Sequence, residues 1–135
     1  MPIIVSMFRT GKSAIDGTGV FATASIRARK KLGECTGERI SLREARRRVK
    51  GLKKIAIVEM DKGAIDESGK GGGVFRYINH SCNPNAYIRI AYNRVEFYSR
   101  RAIKPGEELT CDYGVTQHNG KLPCRCKSPN CRKFL

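Results

Sequence analysis

The sequence predicts a mainly β domain, with many short strands and one or two short helices. Apolar and β-branched residues come in short runs at 3–8, 55–60, 86–91, 95–99 and 109–113, the lengths and residue types of strands. Glycine- and proline-containing turns separate them. Apolar residues recur at helical spacing in one stretch, Leu42, Ala45, Val49 and Leu52. A chain of 135 residues fits one domain and can bury roughly two-thirds of its unfolded surface.

Taken in order, the run at 3–8 predicts a first strand, and Gly17-Thr18-Gly19 a turn before the apolar Val20-Phe21-Ala22. Ser41-Leu42-Arg43-Glu44 reads as a capping box, in which the serine oxygen meets the Glu44 N–H and the Glu44 carboxylate reaches back. Gly51 suits the helix C-cap. Asp61-Lys62-Gly63 follows the strand at 55–60 as a turn. The glycine-rich 69–73 loop lacks the Gly-Lys-Ser/Thr of a phosphate-binding loop. Tyr92-Asn93-Arg94 joins a hairpin, and Lys104-Pro105-Gly106 turns the chain into the last strand.

Charge narrows the function classes. The 27 Lys and Arg against 12 Asp and Glu leave +15, which attracts polyanions and repels basic partners at long range. Residues 39–54 are the most basic and offer nonspecific nucleic-acid contact, or simply a solvated helix face. Glu59 to Glu67 is the one locally acidic stretch, where a basic peptide would find contacts. No apolar run approaches the roughly 20 residues of a membrane span, so no membrane partner is expected. The opening MPIIVSMFR lacks the features of a secretory leader. An intracellular, reducing location follows, in which six cysteines are metal ligands or free thiols.

Three stretches carry the chemistry. In Arg76-Tyr77-Ile78-Asn79-His80-Ser81-Cys82-Asn83-Pro84-Asn85 an apolar approach runs into amide, imidazole, hydroxyl and thiol groups. The Asn-Pro-Asn that follows stops any helix. The second is Glu108-Leu109-Thr110-Cys111-Asp112-Tyr113-Gly114. The third is Cys124-x-Cys126-x4-Cys131, ending in Arg132-Lys133-Phe134-Leu135. Three thiols fall one short of a tetrahedral zinc set, and Cys82 and His118 are both acceptable fourth donors.

In this order and spacing the three stretches resemble the SET-domain protein lysine methyltransferases that carry a zinc-binding post-SET tail. The resemblance runs from about Ile15 to Leu135. It implies a SET fold of small curved sheets with a C-terminal pseudoknot, residues 1–114 forming the SET domain and 115–135 a linker and the post-SET tail. It implies S-adenosylmethionine as methyl donor, held by Gly17, Thr18, Gly19, Arg76, Asn79, His80 and Tyr113. Phe134 and Leu135 would close against the adenine. By the same resemblance Tyr113 is the catalytic residue, and one structural zinc is bound by Cys82, Cys124, Cys126 and Cys131. The substrate implied is a protein with an accessible lysine, such as a histone-like tail. The setting would be nuclear or chromatin-associated in a eukaryote or virus and cytoplasmic in a bacterium.

Methyl transfer to lysine is an in-line displacement that needs a neutral amine, a straight approach and little water. Positioning supplies much of the acceleration, and an apolar channel disfavours the ammonium. The resemblance puts Cys35, Ile88 and Cys111 on that channel, where many relatives carry aromatic residues; Thr18 likewise replaces a common tryptophan. Thiols are small and weak hydrogen-bond partners, so di- or trimethyllysine is the expected product. The alternative reading is a non-catalytic, zinc-stabilised module that binds nucleic acid or chromatin on a SET-like core.

Overall fold

A computed structural model of the chain describes residues 7–50, 56–69, 71–113 and 124–134. The strands are β1 (Phe8–Lys12), β2 (Thr18–Ala22), β3 (Lys31–Glu34), β4 (Glu38–Ile40), β5 (Ile57–Met60), β6 (Gly63–Asp66), β7 (Asn79–His80), β8 (Ala86–Ala91), β9 (Arg94–Ser99) and β10 (Glu108–Cys111). Among the described residues a single α-helix, α1 (Leu42–Val49), lies between β4 and β5, and a 3-10 turn at Val74–Tyr77 precedes β7. The fold is mainly β, as the sequence predicts. The strand expected at 3–8 falls mostly outside the described residues; the first described strand starts at Phe8. Among the described residues no helix is long and apolar enough to cross a membrane.

Three small sheets form, ordered β1-β2-β10-β7, β3-β9-β8 and β4-β6-β5. The β8–β9 hairpin turns on Tyr92 and Asn93, with φ of 52° and 59°. Two consecutive left-handed residues make the turn that matches strand twist. Its long pairing, Ala86↔Ser99 to Ala91↔Arg94, is regular throughout. Between the sheets lies one core of Val20, Ile65, Val95, Ile103 and Leu109, with Phe75 stacked on Phe97 at 4.6 Å and edge-on to Phe8 at 5.6 Å. Gly37 lets the β3–β4 corner lie against β6, since a Cβ there would stand 2.2 Å from the Asp66 carbonyl oxygen.

Half of the expected capping box forms. Ser41 Oγ accepts the Glu44 N–H at 3.0 Å, but the Glu44 carboxylate pairs with Arg47 and Arg48 instead of turning back. Guanidinium groups three and four residues along the helix are stronger partners than one backbone N–H. Ala45 is the helix's buried residue, so α1 also depends on ions. Arg48 reaches Glu38 at 2.8 Å and Asp66 at 2.9 Å, joining the helix to β4 and β6. Gly51 and Leu52 lie outside the described residues.

β10 decides the architecture. It pairs antiparallel with β2 through Glu108↔Phe21 and Leu109↔Val20. It pairs parallel with β7 through Thr110↔Asn79 and Cys111↔His80. Parallel neighbours need a crossover, and the β8–β9 hairpin provides it. Asn85 extends the pairing with its side chain: Oδ1 accepts the Thr110 N–H at 2.9 Å and Nδ2 donates to the Glu108 carbonyl at 2.8 Å. Asn85→Ala leaves both backbone groups without these partners. Urea unfolding is expected to show a loss of about 2 kcal/mol or more; an unchanged midpoint would mean that β10 is held without this amide.

Candidate functional site

The site grows from the β7–β10 junction. Asn79 is buried, and its Nδ2 donates toward Ser13 Oγ (3.0 Å), the Asp16 carbonyl (3.0 Å), the Thr18 carbonyl (3.3 Å) and Glu108 Oε2 (2.9 Å). Ser13 Oγ donates to Glu108 at 2.8 Å and accepts the Ile15 and Asp16 N–H groups. The loop from Ser13 to Thr18 is therefore wrapped around one amide and one carboxylate. Both glycines of the G-x-G serve that shape. Gly17 has φ of 46°, and a Cβ on Gly19 would meet Glu108 Oε2 at 2.4 Å.

His80 joins this loop's neighbour strand to two other parts of the site. Its Nδ1 accepts the Tyr113 N–H at 3.0 Å, which leaves the proton on Nε2, 3.2 Å from Cys82 Sγ. Burial pushes its pKa down, against the pull of Asp112, so the ring is neutral and orients rather than titrates. The Tyr113 ring is 41% exposed, but its hydroxyl turns inward and donates to the Ile78 carbonyl at 2.5 Å. Burial pushes the phenol above its ordinary range, helped by nearby Cys111, Asp16 and Glu108. It is a neutral hydroxyl.

The C-terminal cysteines converge on this junction. The sulfurs of Cys82, Cys124, Cys126 and Cys131 all lie within 4.8 Å of one another. A tetrahedral zinc with bonds of about 2.3 Å sets its sulfurs about 3.8 Å apart, and Cys82 and Cys124 stand at 4.0 Å. Backbone N–H groups point at three of the sulfurs: Cys82 N at Cys126 (3.5 Å), Arg132 N at Cys82 (3.3 Å) and Lys133 N at Cys131 (3.4 Å). The tail is also pinned by Asn130 Nδ2 to the Cys82 carbonyl at 2.8 Å, by Arg132 to Asp112 at 3.5 Å and by Arg125 to Asp16 at 3.9 Å. His118, the other candidate ligand, lies outside the described residues, as does Leu135. Phe134 is 55% exposed.

Of the residues singled out from sequence, Gly17, Thr18, Gly19, Asn79, His80 and Tyr113 come together. Arg76 is placed differently, its guanidinium 4.8 Å over the Tyr77 ring and donating to the Glu67 and Gly69 carbonyls. Cys35 and Cys111 are buried and Ile88 is half-buried against the core. A recess of ≈ 320 Å³ opens beside Ile88, Cys82 and Asp112. Tyr87 also lines this recess and stacks on Tyr98 at 5.6 Å.

Sequence reasoning missed Glu67. It read as the end of an acidic stripe, yet that stripe is largely consumed within the fold. Glu59 pairs with Arg46 and Asp66 with Arg48, while Glu67 is 2% exposed. Burial lifts the Glu67 carboxyl to about 7, against the pull of the Cys35 thiol, the Thr36 N–H and Arg76. Its charge also bears on Cys111, whose thiol burial pushes up to about 12. Its only sequence signal is an acid directly after the buried strand Ala64-Ile65-Asp66, which does not reveal the partner 32 positions away at Cys35. On the basic face, Arg46, Arg47 and Arg48 are ion-paired.

The SET domain profile matches residues 17–114. An H3 lysine-4 specific histone-lysine N-methyltransferase of Saccharomyces cerevisiae is 35% identical over 92% of this chain and 13% of its own length. A protein of the same description from Schizosaccharomyces pombe is 36% identical over 93% of this chain and 15% of its own. Human histone-lysine N-methyltransferase SETD1B is 35% identical over 92% of this chain and 7% of its own. The chain thus spans only 7–15% of the length of these three relatives. A profile match over most of the chain, with such relatives along nearly all of it, makes this chain a member of the SET domain family.

Proposed function

We propose that the chain methylates lysine side chains of a protein, a histone or histone-like basic protein, using S-adenosylmethionine. The observation that carries this reading is Tyr113, whose hydroxyl is turned onto the Ile78 carbonyl at the junction of β7, β10 and the Gly17–Gly19 loop. S-adenosylmethionine, when bound, supplies an electrophilic methyl group on a cationic sulfur. The surroundings suit a cation despite the chain's +15, because Asp16 and Glu108 bear on the Tyr113 phenol. Tyr113 and Phe134 are among the few large apolar side chains left exposed, as faces for a bound nucleoside would be. Gly17, Thr18, Gly19, Asn79 and His80 would hold the donor, with Arg76, Phe134 and Leu135 at its margins.

Within this reading the Tyr113 hydroxyl and the Ile78 carbonyl offer oxygen atoms around the transferring methyl and the incoming amine. Preorganised groups of this kind lower the barrier because they need not reorient during the reaction. Cys35, Ile88 and Cys111 would line the lysine channel and exclude water. His80 fixes the Tyr113 backbone while donating to Cys82, so the tail and the reacting end of the site share one imidazole. The four cysteines would hold one structural zinc, residues 115–135 forming the post-SET tail of a SET domain at 1–114. A chromatin setting follows from a histone substrate. Nucleic-acid contact through 39–54 would draw on Arg39, Arg43 and Lys50, which have no carboxylate partner among the described residues.

Tyr113→Phe is expected to lower turnover roughly 100-fold or more while cofactor affinity by calorimetry and the melting temperature stay near wild type. Wild-type turnover in this variant would remove Tyr113 from the mechanism. A non-catalytic module would instead show no transfer in either protein. Metal analysis should find one zinc per chain, retained in His118→Ala and lost in Cys82→Ser. Chelation should weaken cofactor binding, since metal binding and local folding are coupled. Zinc lost from the histidine variant and kept by the cysteine variant would reverse the ligand assignment.

A further inference from the structure

We propose that Glu67 receives the ammonium group of the substrate lysine and takes its proton before methyl transfer. The proposal rests on the methyltransferase reading above. Among the described residues two buried side-chain nitrogen or oxygen atoms lack a hydrogen-bond partner, Glu67 Oε1 and Arg76 Nε. They belong to one cluster, since Arg76 also donates to the Glu67 carbonyl at 3.4 Å. A buried carboxylate oxygen without a donor is destabilising, and a native fold that keeps one calls for a reason. Oε1 is a buried acceptor that no group among the described residues serves.

Position and chemistry identify its donor. Cys35 and Cys111 both lie near enough to the carboxylate for its charge to raise their thiols. These are the two thiols assigned to the lysine channel, and Cys111 is two residues from Tyr113. An ammonium group brings three N–H donors and a positive charge, whereas the thiols around it offer little to either. The groups facing Glu67 are Cys35 and the Thr36 N–H from the β3–β4 corner, Asp66 from its own strand, Arg76 from the turn before β7, and Cys111 from β10. Burial and Asp66 raise the carboxyl, Arg76 and the hydrogen bonds lower it, and the balance of about 7 suits a base at physiological pH.

The steps balance. An N–H bond of the ammonium breaks, an O–H bond forms on Glu67 Oε1, and the electron pair stays on nitrogen. That pair then forms the N–C bond to the methyl carbon as the C–S bond of the sulfonium donor breaks, its electrons passing to sulfur. Glu67 returns its proton to solvent after the methylated lysine leaves.

The test uses the full chain, a histone H3 N-terminal peptide, and the variants Glu67→Gln, of equal shape, and Glu67→Asp, a shorter carboxylate. Wild-type kcat/KM should rise with pH through about 7, as the base must be deprotonated. Glu67→Gln should lose that limb and roughly 100-fold in kcat, with a smaller change in KM, and Glu67→Asp should restore part of both. A purely structural role would lower stability without moving the limb. Melting curves give a readout independent of activity. The folded value of Glu67 is raised above 4.5. Its stabilisation is therefore complete below pH 4.5 and lost as pH rises through about 7. Wild type should fall relative to Glu67→Gln across that window. Parallel melting curves, or a Glu67→Gln enzyme with the wild-type rate and limb, would overturn the assignment alone, as would an ordered water that serves Oε1 with no effect on catalysis. Absence of any transfer by wild type would overturn the reading beneath it.

Discussion

Two residue pairs, Thr110 with Asn79 and Cys111 with His80, hold β10 parallel to β7, and the site depends on that short seam. Without it Tyr113 has no fixed place, because its N–H is held by His80 and its hydroxyl by Ile78. The seam is reinforced from both sides. Asn79 pulls the 13–18 loop onto Glu108, and Asn85 covers Thr110 and the Glu108 carbonyl with an amide that imitates a peptide. Side-chain amides suit this position because each carries a donor and an acceptor in one plane.

The electrostatics run against the chain's average. A protein with pI ≈ 10.0 gathers Asp16, Glu108 and Asp112 around Tyr113. Global charge would repel a basic tail at a distance, but it is screened beyond about 8–10 Å in physiological salt. Local carboxylates decide what can sit in the site. His80 then couples two chemistries that look separate in sequence. A neutral imidazole that accepts from Tyr113 and donates to Cys82 links the cysteine cluster to Tyr113, two residues beyond β10.

Much of this was legible in sequence because it is local. The β8–β9 hairpin, the Ser41 cap and the order of the three motifs each lie within a short window, where turn chemistry and spacing speak directly. The cysteine cluster was legible through thiol spacing plus the resemblance that supplied Cys82. What escaped depends on long-range contact. Glu44 looked free to close its capping box until Arg47 and Arg48 claimed it on the helix surface. Arg48 looked like one more cation of a basic helix, yet it bridges Glu38 and Asp66. Glu67 looked like an exposed acid, and only the packing of the β3–β4 corner against β6 buries it beside Cys35. Periodicity reports which face is apolar, but not which polar group that face will enclose.

The central claim is that this junction is a lysine-methylating site. It is tested most directly by incubating the chain with recombinant histones and cofactor carrying a deuterated methyl group, then mapping the label by tandem mass spectrometry. The account predicts deuterated methyl on lysine side chains of a histone, dependent on the chain and abolished when the cofactor is withheld. Label confined to other residue types, or none on any histone or other basic protein from chain that binds the cofactor, would contradict it.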